Sequence, residues 1–230
     1  MYFSRLKPNL KNSFEVSQAA FDDHYKEHQV LWNLFPHDPN KERDFLFRFI
    51  VENNLPVYYI LSEREPVKQP IGWQLEGPKE YQPVIKEGLQ LHFSLRVNPV
   101  VTRKNNDKPG ANNKSRHDVV MELRNTYKSS GQKRSEWPPI ASMAKQAGLE
   151  WLEKRQEKLG FTFLRTNVLV EGYHRIQFRK KGGQKPIQFG VIDFSGILTV
   201  SDEEKFRNTL YKGVGKGRGF GCGLLLIKKL

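Results

Sequence analysis

The segment His24-Tyr25-Lys26-Glu27-His28 carries the residue types of a reactive site. Two interpretations of this segment compete. In the first, His24, Glu27 and His28 form the H-x-x-E-H pattern of inverted zinc peptidases, with both histidines one helical turn apart. In the second, Tyr25 and His28 lie three residues apart on a helix and are therefore neighbours on its surface. A third possibility is that these residues are only the polar face of an exposed helix.

The pair Tyr25 and His28 has the chemistry for cleaving RNA without a metal. A histidine gains or loses a proton near neutral pH, whereas free tyrosine titrates at about 10 and suits hydrogen bonding or proton donation. One residue would help to deprotonate a ribose 2′-hydroxyl for in-line attack on the adjacent phosphate, and the other would protonate the departing 5′ oxygen. Basic residues nearby would stabilise the phosphorane charge. The zinc interpretation instead needs a third ligand, such as a downstream glutamate.

A glycine-rich segment near the end of the sequence is a second unusual feature. Its six glycines alternate with other residues, among them Lys216 and Arg218; the glycines are Gly213, Gly215, Gly217, Gly219, Gly221 and Gly223. Because glycine has no Cβ, such a backbone can approach a bulky anion closely. Nucleotide-binding loops run into a long helix, but here Leu224 to Ile227 is typical of a short buried strand. The pattern therefore favours a polymeric phosphate backbone over a single nucleotide.

The composition also indicates a nucleic-acid partner. The chain has 38 Lys and Arg against 25 Asp and Glu, a net charge of +13, although a basic surface that serves only solubility is the alternative. The single Cys222 excludes an internal disulfide and a cysteine metal cluster. The first residues lack the apolar run of a signal peptide, and no segment is apolar enough for a membrane span. We therefore expect a globular protein of the cytoplasm that does not contact membranes.

The elements that must position these residues follow from hydrophobic periodicity. A polar, basic stretch beginning at Val100, with Arg103 and Lys104, marks the predicted boundary between two halves. For the first half we predict a strand at Tyr2–Leu6, a helix at Ser17–Leu34, and two strands at Phe45–Val51 and Val57–Leu61. A proline-broken stretch and a strand at Leu89–Val97 follow.

The second half repeats this order more clearly. We predict a strand at His117–Leu123, a helix at Pro139–Leu159, and two strands at Val168–Phe178 and Ile187–Val200. A short capped helix at Ser201–Tyr211 and a final strand at Leu224–Ile227 follow. The fold prediction is therefore an α+β protein with two tandem ferredoxin-like (RRM-like) βαββαβ domains. The predicted domains span 1–99 and 116–230, joined by a basic linker over 100–115.

Several blocks of the sequence are similar to one known family. The run Tyr25-x-x-His28-Gln-Val-Leu-Trp32-Asn-Leu-Phe35-Pro36, with the following segment 43–48, closely resembles the CRISPR repeat-processing endoribonucleases of subtype I-E systems, the CasE family. The segments 1–6, 91–99 and 213–226 also resemble that family. The resemblance covers essentially the whole length, although residues 100–160 match only in pattern.

The resemblance implies an enzyme that needs no metal and no cofactor. Such an enzyme cuts the CRISPR precursor transcript within each repeat, at the 3′ base of the stem-loop, and leaves a 2′,3′-cyclic phosphate and a 5′-hydroxyl. It then stays on the mature RNA beside the other Cascade subunits, and outside the complex it is a monomer. Tyr25 and His28 match the family's catalytic pair, whereas His24 and Glu27 match no family role. The alternative from another class is a non-catalytic subunit that binds the RNA hairpin.

The resemblance also implies which residues bind RNA. The family inserts a basic β-hairpin of the second domain into the RNA major groove, and Arg179, Lys180 and Lys181 occupy the matching turn, with Arg175 close by. Without the resemblance, this would be an ordinary solvated turn. Where some relatives carry a lysine one turn after the histidine, this chain has Asn33. We therefore expect the auxiliary cations to come from elsewhere, with Lys26, Lys216 and Arg218 as candidates. Arg103 and Lys104 of the basic linker are further candidates for binding RNA.

Overall fold

The computed structural model of the chain describes residues 1–9, 24–36, 42–104, 114–178 and 186–230. Its first half contains β1 (Tyr2–Pro8), α1 (His24–Trp32), β2 (Phe45–Glu52), β3 (Leu55–Ser62) and β4 (Trp73–Glu80). Its second half contains β5 (Gln90–Val97), β6 (Val100–Lys104), β7 (Lys114–Asp118), α2 (Val119–Ser129), α3 (Ile140–Glu153), α4 (Gln156–Leu159), β8 (Phe161–Thr162), β9 (Val168–Phe178), β10 (Ile187–Val200), α5 (Glu203–Lys212) and β11 (Leu225–Lys229).

The first sheet has the strand order β4-β1-β3-β2, and all its pairs are antiparallel. This is the order of a ferredoxin-like βαββαβ unit in which an irregular segment, 63–72, replaces the second helix. The turn between β2 and β3 places Asn53 and Asn54 at φ 50° and 61°, the left-handed backbone of a tight hairpin. A buried core joins the sheet to α1 and includes Leu6, Leu31, Ile60 and Trp73.

The second sheet has the order β11-β5-β10, and β10 pairs on its other edge with β8 and β9. The elements β5, α3, β9, β10, α5 and β11 therefore form a second βαββαβ unit with the same strand order as the first. Gly148 of α3 lies so close to β10 that an added Cβ would be 2.8 Å from Ile192. The paired strands β6 and β7 and the helix α2 are an insertion between β5 and α3. The predicted fold class is thus confirmed.

The prediction for the strand Leu89–Val97 was wrong about its sheet. In the structure, β5 pairs with β10 and β11 in the second sheet, and the last strand of the first sheet is β4. The prolines of the β4 region predict irregular structure there. Strand β4 lies at the edge of its sheet, and its pairing with β1 shifts register between Phe3 and Arg5 of β1. Pro78 lies at this irregularity, so its missing N–H costs no hydrogen bond of the ladder. We therefore propose that the domains divide within 81–89 and not at a linker over 100–115.

The predicted strand over His117–Leu123 is also incorrect. Helix α2 begins at Val119, and the Asp118 carboxylate caps it by accepting hydrogen bonds from the backbone N–H groups of Val120 and Met121, at 2.9 and 3.2 Å. This cap explains why the short apolar run continues as a helix and not as a strand. The other predicted elements of the second half are confirmed.

The two domains share a buried apolar contact. Leu46 of β2, Leu61 of β3 and Leu224 form one cluster, against which Phe3 and Leu226 pack. The residues before and within β11 therefore stabilise the first sheet as well as the second.

Candidate functional site

Helix α1 carries the two residues that we predict to be catalytic. Its backbone is helical from His24 to Trp32, so Tyr25 and His28 lie three residues apart on one helix, as predicted. The side chains of His24, Tyr25, Lys26 and His28 lie outside the described part of the structure. Their catalytic role stays a prediction.

The other face of α1 is fixed in the first domain. Leu31 and Leu34 are fully buried in its core, and the ring of Trp32 meets that of Phe45 edge to face, with 5.4 Å between their centroids. Glu27 lies on the same helix face as Leu31 and is only 7% exposed. Its carboxylate forms a hydrogen bond with the hydroxyl of Tyr58 on β3. Burial, with the charge and hydrogen bond of Glu27, raises the pKa of that hydroxyl, which therefore stays protonated as a donor.

A buried ionic cluster links α1 to both sheets. The Asp193 carboxylate on β10 binds Arg48 of β2 at 2.8 Å and Arg96 of β5 at 2.8 and 2.9 Å. Arg96 also interacts electrostatically with Glu27. Burial lowers the pKa of Arg48 to about 10, and the charge of Asp193 only partly opposes this shift. For Arg96, the hydrogen bonds and charge of Asp193 outweigh burial and raise the pKa.

The glycine-rich segment lies between the domains, next to α1. The turn Arg218–Phe220 packs against β2 and α1, and the Gly223 N–H donates to the Arg96 carbonyl at 2.7 Å. At Gly213 the backbone has φ 73°, and an added Cβ would be 2.8 Å from Leu46 and 2.9 Å from the Gly223 carbonyl. Glycine is therefore required here by both conformation and close packing. The predicted loop is confirmed as a tight backbone structure, and its anion-binding role stays a prediction.

Arg218 of the glycine-rich segment lies close to Arg43 of the first domain. Nη1 of Arg43 lies so close to Gly219 that an added Cβ there would collide with it. Burial, together with the charge of Arg218, lowers the pKa of Arg43. Within the described residues, neither guanidinium has a carboxylate partner. The Arg218 Nη2 donates only a weak 3.3 Å hydrogen bond to the Gly213 carbonyl. Lys216 is exposed nearby and bridges through its backbone to Asn98. The region thus has uncompensated positive charge close to α1.

The other predicted RNA-binding residues lie farther along the second domain. Arg175 is exposed on β9, whereas Arg179, Lys180 and Lys181 lie outside the described residues. Arg103 and Lys104 are exposed on β6, so they belong to a paired strand and not to a free linker. The guanidinium of Arg103 binds both carboxylate oxygens of Glu122, at 2.8 and 2.9 Å, which compensates its charge.

Cys222 lies beneath the glycine-rich segment and is fully buried. Its Sγ is 3.8 Å from the Phe220 carbonyl, and burial raises the pKa of the thiol to about 12. Among the side chains that the structure describes, no three His, Cys, Asp or Glu residues gather as a possible metal site. The described helices are too short or too polar to span a bilayer.

Sequence reasoning missed the contacts that hold α1 in place. Glu27, Leu31 and Leu34 follow the i, i+4, i+7 spacing of one helix face, so the burial of Glu27 could have been predicted from that pattern. By contrast, the pairing of Arg48 with Asp193 and the proximity of Arg43 to Arg218 join distant parts of the chain. No local pattern in the sequence indicates them.

Comparison with known proteins gives a consistent result over nearly the whole chain. The family model described as CRISPR associated protein matches residues 1–229. The chain is 30% identical over 220 residues to the CRISPR system Cascade subunit CasE of Escherichia coli K12, covering 94% of this chain and 96% of that protein. It is 27% identical over 207 residues to the CRISPR-associated endoribonuclease Cse3 of Thermus thermophilus, covering 86% and 79% of the two chains.

Solved structures give the same fold. The crystal structure of Cas6e from E. coli K-12 matches with a TM-score of 0.57 and 25% identity, over 100% of both chains. The structure of Cse3 bound to a 19-nucleotide RNA matches with a TM-score of 0.71 and 24% identity, over 99% of this chain and 100% of that chain. These likenesses agree with the two ferredoxin-like strand orders found here.

Proposed function

The chain belongs to the CRISPR-associated protein family, and from this premise we propose that it is the endoribonuclease that processes CRISPR precursor RNA. It cleaves within each repeat, at the 3′ base of the stem-loop, and then stays bound to the mature RNA beside the other subunits of a Cascade complex. The observation that carries this proposal is the near full-length similarity to a Cascade CasE subunit and to an endoribonuclease. The cytoplasm, where transcripts are made, is the proposed location.

The proposed reaction uses Tyr25 and His28 of α1 as a general acid and base. One of them accepts the proton of the ribose 2′-hydroxyl as the 2′ oxygen attacks the adjacent phosphorus. The bond from phosphorus to the 5′ oxygen then breaks, and the other residue donates a proton to that oxygen. The products are a 2′,3′-cyclic phosphate and a 5′-hydroxyl, so neither water nor an oxidant is consumed.

The charge of the phosphorane needs cations, and the structure supports three candidates. Arg218 belongs to the turn that packs against α1, and Arg43 lies beside it. Lys216 is exposed in the same glycine-rich segment. Cations placed where negative charge develops in the transition state lower the barrier to reaction. We therefore propose that these cations stabilise the phosphorane in place of the lysine that some relatives carry at the position of Asn33.

RNA recognition is proposed for the second domain. Arg175 and the turn residues Arg179, Lys180 and Lys181 would contact the stem near the cleaved bond. Because the major groove of A-form RNA is deep and narrow, these residues would recognise shape and phosphates more than base sequence. Arg103 and Lys104 would add weaker contacts, since Glu122 already compensates Arg103.

The decisive experiment is cleavage of an end-labelled RNA containing the host's CRISPR repeat, in excess EDTA. The wild-type chain is compared with Tyr25→Phe and His28→Ala, and with His92→Ala as a matched control, because His92 is exposed on β5. We expect one cut with a cyclic-phosphate end, lost in the first two variants and retained in the control. Tight binding without any cut would favour a non-catalytic subunit. Activity that chelation abolishes would overturn the metal-independent mechanism.

A further inference from the structure

A groove of about 600 Å³ opens beside β9, and apart from Arg175 its residues play no part in the site above. Three arginines reach it from separate elements: Arg124 from α2, Arg134 from the 3-10 turn Arg134–Glu136, and Arg175 from β9. Two aromatic residues, Trp137 and Tyr173, complete its walls. The groove therefore combines cations with aromatic rings.

The lining of this groove has a net positive charge. It contains three arginines and no carboxylate, and within the described residues none of these arginines forms an ion pair. Arg124 and Arg175 both act electrostatically on the hydroxyl of Tyr173, where the Asp118 carboxylate behind the lining offsets part of their charge. A neighbouring groove of about 700 Å³ differs, because two carboxylates line it and one of them, that of Glu122, binds Arg103. The aromatic groove is thus the better site for an anion.

The polar atoms of both rings are already used within the protein. The Trp137 Nε1–H donates to the Gln132 carbonyl at 3.1 Å, and the Tyr173 hydroxyl donates to Asp118 Oδ2 at 3.0 Å. These hydrogen bonds fix the rings, and what the rings can offer a ligand is their apolar faces. Trp137 and Tyr173 are both only partly buried, so those faces are accessible in part.

We propose that this groove binds an unpaired nucleotide of the repeat RNA, whose base stacks on Trp137 and whose phosphates lie among the three arginines. Cationic grooves with aromatic stacking surfaces are the general means of binding single-stranded nucleic acid. A paired base cannot enter, because its faces are covered within the duplex. The proposal rests on the proposed function. It places this nucleotide next to the stem because Arg175, which lines the groove, precedes the predicted stem-binding turn by four residues in the sequence.

Two RNAs of identical stem test this inference. In the first, the unpaired nucleotides carry their bases; in the second, the same positions are abasic, so that the phosphates remain and stacking is lost. Affinities are measured in the His28→Ala background, which keeps the RNA intact. We expect the base-bearing RNA to bind at least about fivefold more tightly than the abasic RNA, the lower end of measured stacking effects. Trp137→Ala should abolish this difference and Trp137→Phe should retain it.

Two controls separate stacking from charge and from misfolding. Arg134→Gln should weaken the binding of both RNAs, whereas Arg165→Gln, at an arginine that Glu153 already neutralises, should change neither. The circular dichroism spectrum and melting temperature of Trp137→Ala should match those of the wild-type chain, which shows that the variant is folded.

Equal affinity of the two RNAs, or a difference that persists in Trp137→Ala, would overturn the inference. A failure of the proposed function has a different signature, since the wild-type chain would then leave both RNAs uncut.

Discussion

Arg48 on the first sheet and Asp193 on the second sheet form a buried ion pair, with 2.8 Å between Nη2 and Oδ1. The same carboxylate also binds Arg96, so one aspartate holds two guanidinium groups at the contact between the domains. A buried charge that loses its partner is strongly destabilising, whereas the loss of one of two partners leaves compensation in place. This arrangement makes Asp193 the central residue of the cluster.

Asp193→Asn should destabilise the protein more than Arg48→Met. The first variant leaves Arg48 buried without its ion-pair partner and also removes the carboxylate that binds the partly buried Arg96. Breaking a buried pair costs about 3–5 kcal/mol. The second variant leaves Asp193 paired with Arg96. Urea unfolding of the two variants would measure this difference, and an equal or smaller loss for Asp193→Asn would contradict it.

Glu27→Ala should slow cleavage without weakening RNA binding. The change removes the carboxylate that bonds to Tyr58 and faces Arg96, so α1 loses a restraint next to His28. Misplacement of about 1 Å can cost about a hundredfold in rate, and we expect a fall of about tenfold or more at saturating RNA.

Tyr58→Phe removes the same hydrogen bond from the other side and should act in the same direction. Glu63→Gln, on an exposed residue, is the control that should have no effect. An unchanged rate with weakened binding would show that Glu27 serves stability or recognition and not positioning.

Gly223→Ala should cost more stability than Gly88→Ala. Both glycines have left-handed backbone, at φ 92° and 79°, which costs a residue with a Cβ about 1–2 kcal/mol. A Cβ at Gly223 would also lie 2.8 Å from the Val214 carbonyl, whereas a Cβ at Gly88 would meet nothing within 4 Å. In thermal unfolding, Gly223→Ala reports backbone strain and collision together, whereas Gly88→Ala reports strain alone. Equal losses of stability would contradict the close packing of the glycine-rich segment.

Cys222 should resist alkylation in the native protein at pH 8. Burial raises the pKa of its thiol to about 12, so the neutral form dominates at pH 8 and the nucleophilic thiolate is scarce. Iodoacetamide should modify the thiol only after unfolding in guanidinium, with one equivalent per chain because the sequence has one cysteine. Stoichiometric labelling of the folded protein within minutes would contradict this.

RNA affinity should fall steeply as salt rises, because a chain of net charge +13 gains affinity by displacing counterions from phosphates. For about six phosphate contacts we expect a slope of about −4 to −5 in a plot of log affinity against log salt. Cleavage at saturating RNA should change little over the same range. A flat affinity plot would argue against extensive phosphate contact.

The sequence predicts well those elements whose signals are local. The Asn53-Asn54 turn, the strands β9 and β10, and the capped helix α5 follow from alternation and punctuation within a few residues. The sheet to which β5 belongs does not follow from local signals, because its partners are distant in the sequence. For example, Val97 pairs with Ile192 of β10, and Leu95 pairs with Leu225 of β11. Alternation establishes that Leu91 to Val97 is a strand but cannot identify its neighbour.

The candidate site divides in the same way. The spacing of Tyr25 and His28 and the glycine-rich pattern are visible in the sequence, and they predict a catalytic role for α1 and an anion-binding role for the loop beside it. The cation pair Arg43 and Arg218 and the ionic contacts of Asp193 depend on how two domains meet. Such contacts follow only from the tertiary structure.

The packing of the turn Arg218–Phe220 against α1 has a consequence for biosynthesis. A ribosome makes α1 early but makes the turn that covers it almost two hundred residues later, and β11 must then pair with β5 across a long stretch of chain. Because domains form in the order of their synthesis, the nascent chain carries α1 before Lys216 and Arg218 exist. If α1 is the catalytic helix that we propose, nuclease competence would arise only after the second domain is made, and messenger RNA beside the ribosome would be spared until then.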